Sequence, residues 1–138
     1  MGAWGAGPFE NDDAADWAAE FDGVDGPTGI AIVRSALSSA LDAEYVEAPE
    51  GSVAVAAAQV VAWLIQPEKV EGSAYNETVC AWLRTQAPLS DASLSRAARR
   101  ALLRVQSPVS ELNELWSEAD DADWSKEIER IMAQLSVR

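Results

Sequence analysis

Ser52-Val53-Ala54-Val55-Ala56-Ala57-Ala58-Gln59-Val60-Val61-Ala62-Trp63-Leu64-Ile65-Gln66 is the stretch that decides the fold of this chain. Val53, Ala57, Val60, Val61 and Leu64 recur at helical spacing and give a core stripe. Ala54, Ala56, Ala58 and Trp63 make the other faces apolar as well, so the predicted helix is hydrophobic nearly all round. A helix of that kind is buried on several sides, and the rest of the chain has to supply the covering elements. Pro67 stops it. The apolar run from Val53 to Ile65 contains Gln59 and is too short to span a bilayer, so no membrane role is expected.

The flanking sequence supplies helices in both directions. Upstream, a short acidic segment over Asn11–Phe21 has Asn11 or Asp12 as its N-cap, and Gly23, Gly26 and Pro27 break the chain after it. Thr28 is the expected cap of a helix to about Asp42, with Ile30, Val33, Leu37 and Leu41 on one face. Residues 43–50, with Pro49, form a linker. Downstream, Asn76 caps a helix that turns Val79, Trp82 and Leu83 inward, and Pro88 separates it from the next. Ser90 is the expected cap of a helix with Leu94, Ala98, Ala101, Leu102 and Val105 at core spacing. Ser107-Pro108 starts another, with Leu112, Leu115 and Trp116 inward. The last begins near Asp123 and carries Trp124, Ile128, Ile131, Met132 and Leu135 as its stripe. No alternating strand pattern competes and no fixed repeat is present. The reading is all-α: one irregular bundle of about six to seven helices with short connections, a single domain over residues 1–138, with residues 1–10 as an irregular segment packed on the bundle.

Composition narrows the chemistry. In 138 residues there are 23 acidic and 10 basic side chains, a net charge of −13, no histidine and one cysteine, Cys80. No intramolecular disulfide and no Cys/His zinc site can be assembled, and the Ser-His-Asp arrangement is excluded. Cys80 reads as a small buried hydrophobe. The charge argues against nucleic acid as a partner and fits a basic protein. No cofactor motif is present. Met1–Pro8 has no positive charge and acidic residues begin at Glu10, unlike an export signal, so a cytoplasmic location is expected.

Charge is also unevenly distributed. Arg84, Arg96, Arg99, Arg100 and Arg104 cluster between acidic flanks. Arg96, Arg99, Arg100 and Arg104 have two readings: internal ion pairing to the acidic segments, or an anion-binding face.

The N-terminal stretch, Gly2-Ala3-Trp4-Gly5-Ala6-Gly7-Pro8-Phe9-Glu10-Asn11-Asp12-Asp13-Ala14-Ala15-Asp16-Trp17, concentrates the candidate site residues. Its glycines permit close backbone approach, and Trp4, Phe9 and Trp17 serve as anchors. Glu10, Asp12, Asp13 and Asp16 offer carboxylates that, at helical spacing, converge on a divalent cation or act as an acid–base pair. The alternative is ordinary: acidic residues in a first turn complement the helix dipole while Asn11 or Asp12 caps it.

These residues also carry a resemblance. The opening Gly-Ala-Trp-Gly, the Phe9-Glu10-Asn11-Asp12 that follows and Asp16-Trp17 resemble the signature of the bacterial domain of unknown function 4259. Tyr45–Pro49, Ala56–Ala62, Ala97–Leu102 and Ser110–Trp116 extend the resemblance along essentially the whole chain. The family pattern commonly has Glu where this chain has Gln59. The resemblance implies a small stand-alone bacterial protein and brings no activity with it.

The functional expectation is a non-enzymatic acidic interaction module with Trp4, Glu10, Asn11, Asp12, Asp13 and Asp16 as binding residues. A concrete version neutralises a basic protein, as small acidic immunity proteins do. The rival is a metal-dependent hydrolase using Glu10, Asp12, Asp13 and Asp16 as metal ligands. A third reading is a homo-oligomeric structural protein, so that the chain is expected as a monomer or homo-dimer.

Overall fold

The computed structural model describes residues 5–86, 90–119 and 122–136. Among them are seven α-helices: α1 (Asp12–Ala18), α2 (Gly26–Asp42), α3 (Ala48–Ile65), α4 (Glu77–Gln86), α5 (Ala92–Val105), α6 (Glu111–Glu118) and α7 (Asp123–Ser136). Short 3-10 turns follow α1 and α3, at Ala19–Phe21 and Pro67–Lys69. Trp4 and Pro88, both used in the sequence reading, lie outside the described residues.

The all-α expectation holds, and α3 is its centre. Helices α1, α2, α5, α6 and α7 all pack against it. Every residue of α3 from Ala54 to Trp63 is buried, which is why the stretch has no polar face. Its 18 residues have a mean hydropathy of 1.4, long and apolar enough to cross a membrane, but 67% of them are buried by the neighbouring helices. The alanines let those neighbours approach closely, while Val55, Val60 and Val61 fill volume. Each buried valine-sized side chain contributes roughly 1.5–3 kcal/mol of transfer free energy. Helices α2 and α5 also pack on each other, and α4 leans on α2 and on the turn after α1. The buried side chains form one contiguous cluster from Phe9 to Leu135.

Helix starts differ from the sequence reading in an instructive way. Asp25, not Thr28, caps α2: its side chain accepts the Thr28 N–H at 2.8 Å, which leaves Gly26 and Pro27 inside the first turn. Asp91, not Ser90, caps α5 through the Leu94 N–H at 2.8 Å. Ser110, not Ser107-Pro108, caps α6 through the Asn113 N–H at 3.3 Å. Helix α3 begins four residues before Ser52, at Ala48, because Glu47 and Glu50 form a reciprocal capping box and Pro49 fits the first turn. In each case the true cap places its oxygen three residues ahead of a free N–H, which residue type alone does not reveal. Asn11 caps α1 as expected, accepting the Ala14 N–H at 2.8 Å.

Candidate functional site

The N-terminal segment is held down before it enters α1. The Gly7 N–H donates to the Glu10 Oε1 at 2.8 Å, and the Glu10 N–H donates back to the Gly7 carbonyl at 3.1 Å. A Cβ at Gly5 or Gly7 would lie 2.7 or 2.6 Å from that carboxylate oxygen, so the glycines make room for Glu10 to fold back. Phe9 is buried and stacks on Trp63 of α3, with centroids 5.8 Å apart and planes 12° from parallel.

The opposite wall comes from distant sequence. The Val46 N–H donates to the Val109 carbonyl at 2.8 Å and the Glu111 N–H to the Val46 carbonyl at 2.9 Å, a two-bond parallel bridge that ties the α2–α3 connection to the start of α6. Glu111 Oε1 accepts the Ala48 N–H at 2.7 Å, which puts a carboxylate at the positive end of α3. Leu112 then packs over Gly51, where a Cβ would stand 3.0 Å from its Cδ1. Trp116 of α6 stacks on Trp124 of α7 at 6.3 Å and 3°.

Between these walls lies a cleft of about 350 Å³. Pro8, Val55, Leu112, Leu115, Trp116 and Trp124 make it predominantly apolar, and among the described residues the charged ones in its lining are Asp13 and Glu111. Its size and apolar lining with a few polar groups are those of a binding cleft.

A second, smaller cavity of about 230 Å³ sits on the other side of the same segment, sharing Gly7 and Pro8. Gln59 is its buried polar centre. The Arg130 Nη2 donates to Gln59 Oε1 at 2.9 Å and to Glu127 Oε1 at 2.8 Å, and Gln59 Nε2 donates to Gln134 Oε1 at 3.0 Å. Gln59 thus interrupts the apolar run of α3 in order to bind α7. Trp63 Nε1 beside it is buried without a hydrogen-bond partner, which costs about 1–3 kcal/mol.

The sequence-predicted residues separate on inspection. Trp4 is outside the described residues. Glu10 is engaged by Gly7 and Asn11 by its capping bond. Asp12, Asp13 and Asp16 are exposed on α1, and of these Asp13 reaches the cleft. Among the described residues, no group of three or more acidic or cysteine side chains is placed to hold a metal ion. Arg104 acts internally. Its Nε donates to the Ala40 carbonyl at 2.9 Å and its Nη2 to the carbonyls of Ala43 and Glu44, which neutralises the negative end of α2. Arg96, Arg99 and Arg100 are exposed. The two ion pairs among the described residues, Arg34–Asp91 and Arg130–Glu127, use none of them.

Cys80 is buried, and that burial pushes its thiol up from the ordinary value, the opposite of what an activated nucleophile needs. Tyr45 donates to Glu114 Oε1 at 2.9 Å, and this bond pushes its hydroxyl up to about 12.

Glu111, Leu115, Trp116 and Trp124 were missed as site residues because helical periodicity assigned the apolar ones to the core. A signal was available: the stretches Phe9–Asp12, Tyr45–Pro49 and Ser110–Trp116, which carry the family resemblance, meet around this cleft.

The comparisons with known proteins agree with that resemblance. The family model described as Domain of unknown function (DUF4259) matches residues 2–127. No curated protein and no solved structure matches the chain. The chain belongs to the DUF4259 family.

Proposed function

From that membership as a premise, we propose that the protein is a non-enzymatic acidic interaction module that takes a basic segment of a protein partner in the cleft between the N-terminal segment, α3, α6 and α7. The observation that carries the reading is the cleft wall: among the described residues, five large apolar side chains and two prolines stand beside two charged residues, both acidic. Such a wall suits an apolar anchor side chain flanked by lysine or arginine. Aromatic anchors buried in a pocket dominate binding free energy, and rim charges set the rate and choice of partner.

The surface supports the same reading. With 23 acidic side chains in the chain and two ion pairs among the described residues, most carboxylates are left to solvent, where their field steers a cationic partner. Neutralisation of a basic protein, in the manner of small acidic immunity proteins, is the concrete form of this proposal; the analogy is one of size and charge.

The test is a fluorescence titration of the full chain with a peptide of alternating arginine and leucine, read through Trp116 and Trp124. A saturable change with a dissociation constant of about micromolar, roughly −8 kcal/mol, is expected. Asp13→Lys, which reverses an exposed charge at the cleft, should weaken it about tenfold, or 1.4 kcal/mol. No saturable change at low ionic strength, or equal binding by Asp13→Lys, overturns the proposal.

A further inference from the structure

Helix α5 has one face settled by packing. Leu94, Ala98, Ala101, Leu102 and Val105 are buried against the bundle, so the opposite face points outward. On it, Arg96, Arg99, Arg100 and Leu103 fall at helical neighbour spacing. All four are exposed, and Leu103, at 59%, is the most exposed large apolar residue among those described.

The electrostatics of this stripe run against the rest of the molecule. In a chain with a net charge of −13, internal carboxylates are abundant. Nonetheless none of the ion pairs among the described residues engages Arg96, Arg99 or Arg100. Arg104, one turn beyond Arg100, shows the alternative, since its guanidinium is consumed by the end of α2. The stripe therefore combines unpaired cations with a solvent-facing leucine. That is the chemistry the cleft suits: an apolar anchor for walls built from Leu115, Trp116 and Trp124, and guanidinium groups for Asp13 and Glu111.

We infer that the occupant of the cleft in the isolated protein is a second copy of this chain, which docks its α5 stripe there head to tail. The inference rests on the cleft reading above and adds regulation to it: self-association occupies the cleft and competes with partner capture. The two surfaces differ and lie on one molecule, so the contact is heterologous. It grows into chains or closes into rings rather than stopping at a two-fold dimer. Copies of equal net charge repel at long range, so the local match has to work against that field, and the association is weak and concentration-dependent.

Sedimentation velocity on the full chain up to millimolar concentration tests this. The wild type should form species larger than a dimer as concentration rises. Arg96→Glu with Arg100→Glu removes the stripe, and Asp13→Lys weakens the cleft; each alone should stay monomeric. All these positions are exposed, and unchanged circular dichroism confirms folding. Mixed in equal amounts, the two variants should form a heterodimer and stop there, because each retains one working surface. A wild type that stays monomeric throughout, or a stripe variant that associates like wild type, overturns the inference. The arginine–leucine peptide separates the two proposals. If it still saturates the monomeric wild type, self-association falls and the cleft reading stands. If it fails while copies associate in a way that Asp13→Lys does not affect, the contact lies elsewhere and both fall.

Discussion

Trp82 and the Trp116–Trp124 pair put the same side chain to different uses. Trp82, on α4, presses on the backbone of Gly29 in α2, where a Cβ would meet its ring atoms at 2.2 Å, and its indole N–H is donated to the Asp25 carbonyl at 2.9 Å. Phe21 tilts against it at 4.9 Å. The indole is almost wholly buried and its polar atom satisfied, and the hollow of about 360 Å³ at its edge is walled by polar side chains such as Asp22, Glu77, Thr78 and Thr85. Trp116 stacks on Trp124 and remains partly exposed beside about 350 Å³ of unfilled space. The difference teaches where to look for function in a tryptophan-rich helical protein. An indole pressed on a neighbouring backbone with its N–H satisfied serves stability, whereas a stacked pair partly exposed beside an apolar cleft is where binding is proposed.

The sharpest way to break this comparison is to truncate both sites. Trp82→Ala should destabilise the protein by about 3–5 kcal/mol, as large aromatic truncations in closed cores do. Trp116→Ala should cost clearly less in the same urea melt while abolishing the peptide-dependent fluorescence change. Equal losses of stability would show that the cleft is as much a part of the core as the Trp82 corner. Gly29→Ala refines the Trp82 half. The indole is rigid and hydrogen-bonded, so one added methyl has to displace α2 from α4, at about 1–3 kcal/mol of overpacking. Gly51→Ala beside the cleft, where a Cβ would stand 3.0 Å from Leu112 Cδ1 and in ordinary contact with Val46 Cγ1 at 3.5 Å, should cost less.

The smallest effect separates the two regions by pH. Asp25 is held below the ordinary carboxylate range by hydrogen bonds from Thr28, and Asp91 likewise by the Leu94 N–H and the Ser93 hydroxyl. A depressed carboxylate stabilises the fold above its unfolded pKa, and that contribution is lost as pH falls through the folded value. Tyr45, raised from 10.0 to about 12 by its bond to Glu114, behaves in reverse: its contribution is present below pH 10 and lost as pH rises through about 12. Asp25→Asn with Asp91→Asn should therefore flatten stability against pH only below about pH 4. Tyr45→Phe should flatten it only on the alkaline side. A change on the opposite limb in either case would contradict these assignments.

Much of the architecture was legible because its causes are local. The apolar stripes of α2, α5 and α7 recur at 3.6-residue spacing, and Pro67 and Gly23 break the chain where the helices end. Asn11 was legible as a cap for the same reason. The site was legible only at one edge. Asn11 and Asp13, both in the N-terminal candidate set, line the cleft, while Glu10 lies in the second cavity with its carboxylate engaged by Gly7. Arg104 was grouped with Arg96, Arg99 and Arg100 by composition, yet its partners are carbonyl oxygens about 60 residues away in sequence.

The sequence by itself determined that this chain is helical, that α3 must be enclosed, and that the surface is strongly acidic, because periodicity, breaker residues and charge are properties of short segments and simple counts. Only the tertiary structure decided that Ala48 meets Glu111 across 63 residues, that Gln59 is held by Arg130, and that the N-terminal segment stands opposite Trp116. Those pairings depend on which helix packs where around α3. A helix apolar on every side accepts neighbours in many arrangements, so the choice is made by side-chain volumes and by buried hydrogen bonds that form only once the bundle has closed.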